Sequence, residues 1–386
     1  MAKVFIEETT LTAIGDAIRG KEGSSELVPV NDMATRISAI SGGGGGGDLP
    51  EELFVISGDC TYKFAYGSWN SFLGYFGDKL TTKDITNCMY MFAQNKTLTH
   101  IPFDLNIKIN TSCTCEHFCQ YCEKLEEAPK IYNIKIGNIN QMFANCRSIR
   151  QFPDDYGKDW DWSYHTSATS GYIGNKTGLF QGCYSLRKLP YNLLDKSNPL
   201  ATINYSYFNQ MAQYCYALDE IVNLPIPYNA TWTSNSFSQT FAECGRVSHV
   251  TFATPDGQPY VKSWKSQTID LSNRCGYVPY ESYLSNYNSG ITLAKQVKDA
   301  ATYEALKNDP DWFTLSEQYS RYNHDSAVET INSLPDTSAY LATAGGTNTI
   351  KFKGAAGSAT DGGAINTLTE EEIAVAAAKG WTVSFA

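Results

Sequence analysis

One short stretch of the chain has the residue types of a metal site. Cysteine and histidine recur in the segment Cys113-Thr-Cys115-Glu-His117-Phe-Cys119-Gln-Tyr-Cys122. Thiolates and imidazoles are the usual ligands of zinc. However, no second ligand pair follows at the spacing of a zinc site, and Cys119 and Cys122 also fit a repeated apolar pattern. The favoured prediction is therefore that the chain holds no metal and no cofactor.

A second stretch combines carboxylates with indole rings. Indole rings offer a large apolar surface and carboxylates accept hydrogen bonds, so a sugar-binding loop is one interpretation. Paired carboxylates can also hydrolyse a glycosidic bond. The favoured alternative is a solvated loop whose tryptophans cover the neighbouring core. The candidate residues are Asp154, Asp155, Asp159, Trp160, Asp161 and Trp162.

Motifs of the common enzyme classes are missing from the sequence. We find no nucleophile elbow, no phosphate-binding loop and no zinc-protease helix. The histidines are scattered along the chain. We therefore predict no catalytic residues and expect that the protein is not an enzyme.

Composition restricts the possible partners. The 386 residues carry a net charge of −10, which disfavours nucleic acid and anionic membranes as partners. No apolar run reaches the 18 residues that would suggest a membrane span, and Met1 to Glu8 do not resemble a signal peptide. Eleven cysteines, many in apolar contexts, indicate buried thiols in a protein made in a reducing compartment.

A short phrase recurs six times between about residues 85 and 255. Each copy has an apolar residue three positions before a cysteine (or Asn95 in the first copy), and another apolar residue three positions after it. The copies are spaced 24 to 37 residues apart. The predicted repeat-core residues are Phe92, Leu98, Cys122, Leu125, Phe143, Cys146, Ile149, Phe180, Cys183, Leu186, Cys215, Leu218, Phe241, Cys244 and Val247.

Repetition at this spacing is typical of a solenoid, because a single coil cannot bury its own apolar face and neighbours must stack. The phrase resembles the leucine-rich repeat of the BspA type, which occurs in bacterial surface proteins and in phage proteins. This resemblance implies an α/β solenoid of the leucine-rich-repeat (BspA-like) class.

The first 41 residues predict two short helices, over 9–19 and 31–40. Their apolar residues are Leu11, Ile14, Ile18, Met33, Ile37 and Ile40. Two short helices cannot form a core alone, so we expect them to oligomerise or to dock on another protein. The segment resembles an N-terminal module of phage tail and fibre proteins, which implies an anchor. An ordinary helical hairpin is the alternative.

The rest of the chain divides at a glycine run. Residues 42–49 include six consecutive glycines and predict a flexible tether. Residues 50–290 are assigned to the solenoid, beginning with an N-terminal cap. Residues 291–386 are assigned to further repeats and a C-terminal cap, with predicted helices at 291–307, at 325–334 and after Thr369, and strands near 348–354 and 381–385. The stretch from Leu368 to Val383 is similar to the final coil of phage-encoded leucine-rich-repeat proteins.

These features favour a structural protein of a phage virion, assembled in the host cytoplasm. We expect a fibre or appendage of tail, baseplate or capsid, attached to other virion proteins through residues 1–41. A homo-oligomer is expected, with a trimer favoured. The repeat surface would recognise a host surface glycan or protein, or would decorate the particle. The main alternative is a bacterial cell-surface BspA-like adhesin, and a third possibility is a depolymerase.

Overall fold

The computed structural model describes most of the repeat region, the C-terminal part and four residues near the N-terminus. The described residues are 15–16, 18–19, 55–67, 70–107, 113–132, 134, 136–161, 176–194, 202–203, 208–226, 231–232, 237–245, 247–253, 264–273, 275, 322, 324–353 and 368–386.

Seven turn segments stack on one another in chain order. Backbone amides of each segment donate to carbonyls of the next, so the segments stand one strand spacing apart, about 4.8 Å. The segments are 60–66, 88–94, 115–121, 139–145, 176–182, 208–214 and 237–243. The central donor–acceptor pairs are Phe64–Met91, Phe92–Phe118, Cys119–Met142, Phe143–Leu179, Phe180–Met211 and Ala212–Thr240, with N–O distances of 2.7 to 3.1 Å.

Each turn segment contains two residues with left-handed backbone conformation, at its third and seventh positions. Their φ angles lie between 51° and 72° in all seven segments. Only the fifth segment has glycine at both, Gly178 and Gly182. The first left-handed positions are Tyr62, Tyr90, His117, Gln141, Gly178, Gln210 and Gln239; the second are Tyr66, Gln94, Tyr121, Asn145, Gly182, Tyr214 and Glu243.

Glycine at an exposed left-handed position is expected to stabilise the fold. Gln94 has φ 58° and its side chain is exposed. Left-handed backbone destabilises an L-residue by about 1–2 kcal/mol, while glycine loses about 0.5–1 kcal/mol of chain entropy on folding. Gln94→Gly should therefore raise the free energy of unfolding by about 0.5–1 kcal/mol in chemical denaturation. Gln94→Ala is the matched control and should not stabilise; a gain of the same size in both variants would contradict this explanation.

The apolar residues of the repeated phrase form one continuous core. All fifteen predicted repeat-core residues are at most 7% exposed. The apolar residues three positions after the cysteine (or Asn95) follow the turn segments. Five of them donate their backbone amide to the carbonyl three residues earlier, at 3.1 to 3.3 Å: Leu98, Leu125, Leu186, Leu218 and Val247. The core therefore runs along the stack without interruption from Ile56 to the C-terminal strands.

Buried thiols link each turn segment to the one before it. Cys183 Sγ, for example, donates to the carbonyl oxygen of Phe143, a carbonyl that also accepts the amide of Cys146. In the first copy Asn95 takes the place of cysteine, and its Nδ2 donates to the carbonyl of Phe64 at 3.2 Å. The thiol donors, with S–O distances of 3.0 to 3.1 Å, are Cys122, Cys146, Cys183, Cys215 and Cys244.

Short parallel strands flank the turn segments. Their bounds are β1 Val55–Asp59, β2 Thr81–Asn87, β3 Leu105–Asn106, β4 Cys113–Thr114, β5 Ile131–Tyr132, β6 Ile136–Asn138, β7 Thr202–Ile203, β8 Ile221–Pro225, β9 Thr231–Trp232 and β10 Val250–Ala253. β1 pairs with β2, β3 with β5, β4 with β6, β7 with β9 and β8 with β10. Helices α1 (Asn70–Phe76) and α2 (Tyr191–Leu194) and the 3₁₀ turns Ala65–Gly67 and Gly77–Lys79 lie between these strands in the sequence. The BspA-like leucine-rich-repeat assignment and the domain boundaries stay predictions.

The described C-terminal part includes a three-stranded parallel sheet of β11 (Thr268–Asp270), β12 (Asn348–Phe352) and β13 (Trp381–Phe385), in that order. Trp381 at the start of the last strand is buried and donates from Nε1 to the carbonyl of Pro335 at 2.9 Å. The described helices of this part are α3 His324–Ser333, α4 Ser338–Ala344 and α5 Glu370–Ala378.

Several C-terminal elements agree with the sequence-based prediction. The predicted helix at 325–334 corresponds to α3, and the two predicted strands correspond to β12 and β13. Thr369 caps α5 as predicted: its hydroxyl accepts the amide of Glu372, whose carboxylate accepts the amide of Thr369. The predicted helix at 291–307 lies outside the described residues.

The contact between α3 and α5 is expected to depend on pH. His324 Nδ1 is 3.2 Å from Asp325 Oδ1 and its Nε2 is 3.1 Å from Glu372 Oε2. The hydrogen bond to Asp325, with a smaller effect of Glu372, raises the pKa of His324 above its usual 6.5. A raised histidine pKa adds stability that is fully present below the unfolded value and is lost as pH rises through the folded value.

His324→Gln tests this contact. Wild type should exceed the variant in melting temperature at pH 5.5, and the difference should shrink between pH 6.5 and 8. A difference that stays constant over this range would show that the imidazole charge does not contribute.

The predicted N-terminal anchor is described at four residues only. Residues 15, 16, 18 and 19 are helical, in agreement with the predicted first helix, and Ile18 is 1% exposed. The remaining predicted anchor residues, Leu11, Ile14, Met33, Ile37 and Ile40, lie outside the described residues, as does the glycine run.

Candidate binding surface

In the acidic–aromatic stretch, the described tryptophan is not placed as the sugar-binding interpretation requires. Trp160 is only 6% exposed, and its Nε1 donates to the carbonyl of Ile131 at 3.0 Å. Its ring packs edge to face on Tyr156. Trp160 therefore belongs to the core, which is the placement expected from the favoured interpretation, a loop whose tryptophans cover the neighbouring core.

The rest of that stretch remains a prediction. Asp154, Asp155, Asp159 and Asp161 are exposed, and Trp162 lies outside the described residues. Asp154 Oδ1 is 3.0 Å from Lys188 Nζ in a solvent-exposed ion pair. Such pairs contribute little to stability. In the described part, this stretch therefore consists of the buried Tyr156–Trp160 pair, which packs in the core, and of exposed carboxylates.

Aromatic rings form a stack at the first left-handed positions of the first three turn segments. The Tyr62 and Tyr90 ring centroids are 4.7 Å apart, and those of Tyr90 and His117 are 4.5 Å apart. The planes are within 11° of parallel. The backbone hydrogen bonds between segments impose this register, because they place the same position of each segment directly over the next.

The second left-handed positions of the same three segments add Tyr66, Gln94 and Tyr121. All three side chains are exposed, Tyr66 by 58% and Tyr121 by 37%. The Tyr66 ring lies 6.4 Å from the Tyr62 ring, so the two sets of side chains are adjacent. We call these six residues (62, 66, 90, 94, 117 and 121) the aromatic row.

The aromatic row is electrostatically weak at neutral pH. Burial lowers the pKa of His117 despite its hydrogen bond with Gln120, so the imidazole is neutral. Burial also raises the pKa of the neighbouring Glu116 carboxyl. Burial raises the pKa of Tyr90, helped by Tyr62, Glu116 and Tyr66, so its hydroxyl stays protonated. The six side chains of the row therefore offer ring surface and neutral hydrogen-bonding groups; a carboxyl oxygen of Glu116, outside the row, lies 3.6 Å from His117 Nε2.

At the first left-handed position, glutamine replaces the rings in the fourth, sixth and seventh turn segments, and glycine replaces them in the fifth. Gln120 Nε2, from the third segment, donates to Gln141 Oε1 at 2.8 Å, and Gln181 Nε2 donates to Gln213 Oε1 at 2.7 Å. Gln210 and Gln213 both donate to Gln239 Oε1. Tyr214, at the second left-handed position of the sixth segment, is partly buried, so among the described residues the exposed aromatic side chains of the left-handed positions lie in the first three segments.

The metal-like cluster does not come together as a metal site. Cys115, Cys119 and Cys122 are buried in the core, and His117 lies in the aromatic stack. Among the residues that the structure describes, no group of three or more His, Cys, Asp or Glu side chains is placed to hold a metal ion. The side chain of Cys113 lies outside this description.

The aromatic row was not predicted from the sequence. The signal was present: Tyr62 and Tyr90 each stand two residues before a core phenylalanine, and Tyr66 and Tyr121 each stand two residues after a core position. Aligning the repeat copies on their cysteines does not reveal this spacing of the tyrosines.

Comparison with known proteins gives no relative from which a function could be transferred. No protein-family model, curated protein or solved structure matches the chain. In the described part of the chain, no helix has the length and apolarity needed to span a membrane. The sequence and the structure of this chain are therefore the basis for the function proposed below.

Proposed function

We propose that the chain is a structural protein of a bacteriophage virion, a fibre or appendage of tail, baseplate or capsid that acts by binding rather than catalysis. Its BspA-like leucine-rich-repeat solenoid presents a surface for host recognition or particle decoration. The observation that carries the proposal is the aromatic row, in which a hydrogen-bonded stack holds exposed rings outward. Exposed tyrosine supplies large contact area with little loss of side-chain entropy, as in antibody binding loops.

The sequence at the N-terminus supports attachment to a particle. A segment of two predicted helices precedes a run of six glycines, which is the order expected for an anchor, a tether and a presented domain. Residues 1–41 would bind other virion proteins. Several copies on one particle would raise avidity for a repeated host ligand, and a trimer is the favoured assembly.

The buried face of the first helix offers a test of anchoring. Ile18 is 1% exposed, whereas the Asp16 side chain on the same helical turn is 59% exposed. Ile18→Asp should abolish incorporation of the full chain into phage particles, measured by quantitative mass spectrometry of purified particles. The matched control Asp16→Asn should incorporate like wild type. Normal incorporation of Ile18→Asp would contradict anchoring through this helix.

A further inference from the structure

We infer that Tyr66, Gln94 and Tyr121 form a binding site for an uncharged carbohydrate that lies across the first three turn segments. The inference rests on the proposed recognition role and names its ligand class. Among the described residues, the three side chains are equivalent members of consecutive segments. Tyr66 N donates to Ala93 O at 2.9 Å and Gln94 N donates to Gln120 O at 2.7 Å, which fixes their order.

The spacing of the three side chains suits a ring-shaped ligand. Two segment spacings separate Tyr66 from Tyr121, about 10 Å, and Gln94 stands between them. The exposed amide of Gln94 can both donate and accept a hydrogen bond. The site therefore offers two aromatic surfaces on either side of a bifunctional amide, which matches a sugar with an apolar ring face and hydroxyl groups at its edge.

The stack behind these residues provides a rigid wall. Tyr62, Tyr90 and His117 use their ring faces on one another, at 4.7 and 4.5 Å. Both faces of the Tyr90 ring are therefore covered, so its edge and hydroxyl are left for a ligand, and the Tyr62 ring also lies against Tyr66 at 6.4 Å. Stacked rings lose little freedom on binding, which reduces the entropic cost of holding a weakly interacting ligand.

The charge of the site selects against other ligand classes. None of the three side chains carries a formal charge, and the chain as a whole has a net charge of −10. An anionic ligand such as a nucleic acid would find no cationic partner on these side chains. A protein partner requires about 800 Å² on each side with anchor side chains in fully desolvated pockets. Two tyrosine rings, which bury about 150–250 Å² each, and one amide supply a smaller surface than this, so we favour carbohydrate over protein.

The test is binding of the purified full chain to an array of immobilised glycans, both neutral and anionic. Wild type should bind at least one neutral glycan. Tyr66→Ala and Tyr121→Ala should each weaken that binding about tenfold or more, as expected for aromatic residues that dominate an interface. Gln94→Ala should weaken it less. The control is Tyr132→Ala, which removes a tyrosine of similar exposure (47%) outside the row and should leave binding unchanged.

Three outcomes would overturn the inference: no neutral glycan bound, binding to anionic glycans only, or neutral-glycan binding that survives both tyrosine substitutions. Unfolding temperatures within error of wild type show that the variants are folded, as expected for exposed side chains. The outcome of the glycan-binding test is independent of whether the chain is a virion protein. A chain that is present on particles but binds no neutral glycan would refute the carbohydrate site while leaving the virion role intact.

Discussion

Replacing Lys176 with methionine is expected to stabilise the protein by about 2–4 kcal/mol at pH 7, because it removes a buried ammonium group. Lys176 is 1% exposed, and burial lowers its pKa from 10.5 to about 7. In the stack it occupies the position that Ile139 holds in the preceding segment and Phe208 in the following one. An apolar side chain of similar length therefore suits the site.

The sign and size of the stabilisation expected for Lys176→Met follow from the difference between the lysine pKa in the folded and in the unfolded chain. Between pH 7 and 10.5 the unfolded chain binds more protons at Lys176 than the folded chain, so wild-type stability rises with pH over this range. At pH 7 the lysine destabilises the fold by roughly 4 kcal/mol, and at pH 9 by about 2 kcal/mol. Lys176 also makes an interaction in the fold. Its loss would subtract about 1–2 kcal/mol from the gain.

Chemical denaturation at pH 7 and pH 9 measures the effect. The stability difference between Lys176→Met and wild type should be larger at pH 7 by about 2 kcal/mol. Lys124→Met, at an exposed lysine, is the control and should show little change at either pH. A destabilised Lys176→Met variant, or a difference independent of pH, would mean that the charged form is accommodated in the folded chain.

The second large effect is expected at the buried thiols. Cys183→Ala should lower the free energy of unfolding by about 2–3 kcal/mol, because it leaves a cavity and removes the hydrogen bond to the Phe143 carbonyl. Burial raises the pKa of Cys183, so the thiol is protonated and remains a donor. Cys183→Ser keeps a hydrogen-bond donor on the Cβ atom. It should therefore lower the free energy of unfolding by about 1 kcal/mol less than Cys183→Ala does.

The comparison of serine with alanine separates two explanations for the repeated cysteine. If the thiol were only a small hydrophobic group, a buried hydroxyl would be worse than a methyl group. If the hydrogen bond matters, serine is the better replacement. Asn95 already indicates the second explanation, since it fills the equivalent position with a stronger donor to the equivalent carbonyl of Phe64. Equal or greater damage from serine would favour the purely hydrophobic explanation.

Much of the core was predictable because the repeated phrase encodes it. Aligning the chain on its cysteines selected residues such as Phe143, Cys146 and Ile149, which are fully buried. The same alignment missed the turn segment 60–66, because Gly67 stands where later copies have cysteine or asparagine. This segment, assigned from sequence to a cap, hydrogen-bonds to the next segment in the same register as the later ones.

Other features were hidden for physical reasons. Outside the fifth segment, which has Gly178 and Gly182, the left-handed positions lack the glycine that normally signals them, because the hydrogen-bonded stack imposes the conformation on residues such as tyrosine and glutamine. Lys176 was missed because a charged residue contradicts an apolar pattern. The partner of Trp160 could not be predicted, because the hydrogen bond from its Nε1 to the Ile131 carbonyl joins residues 29 positions apart and local sequence does not show it.

The central claim is that this chain is displayed on a phage particle. Purified particles should be labelled with an antibody against residues 50–386, viewed by electron microscopy and analysed in parallel by mass spectrometry. We predict label on projections of the tail, baseplate or capsid, at a position that distinguishes adsorption from decoration. Particles that lack the protein, together with label on the envelopes of uninfected cells, would contradict the virion assignment and favour the adhesin.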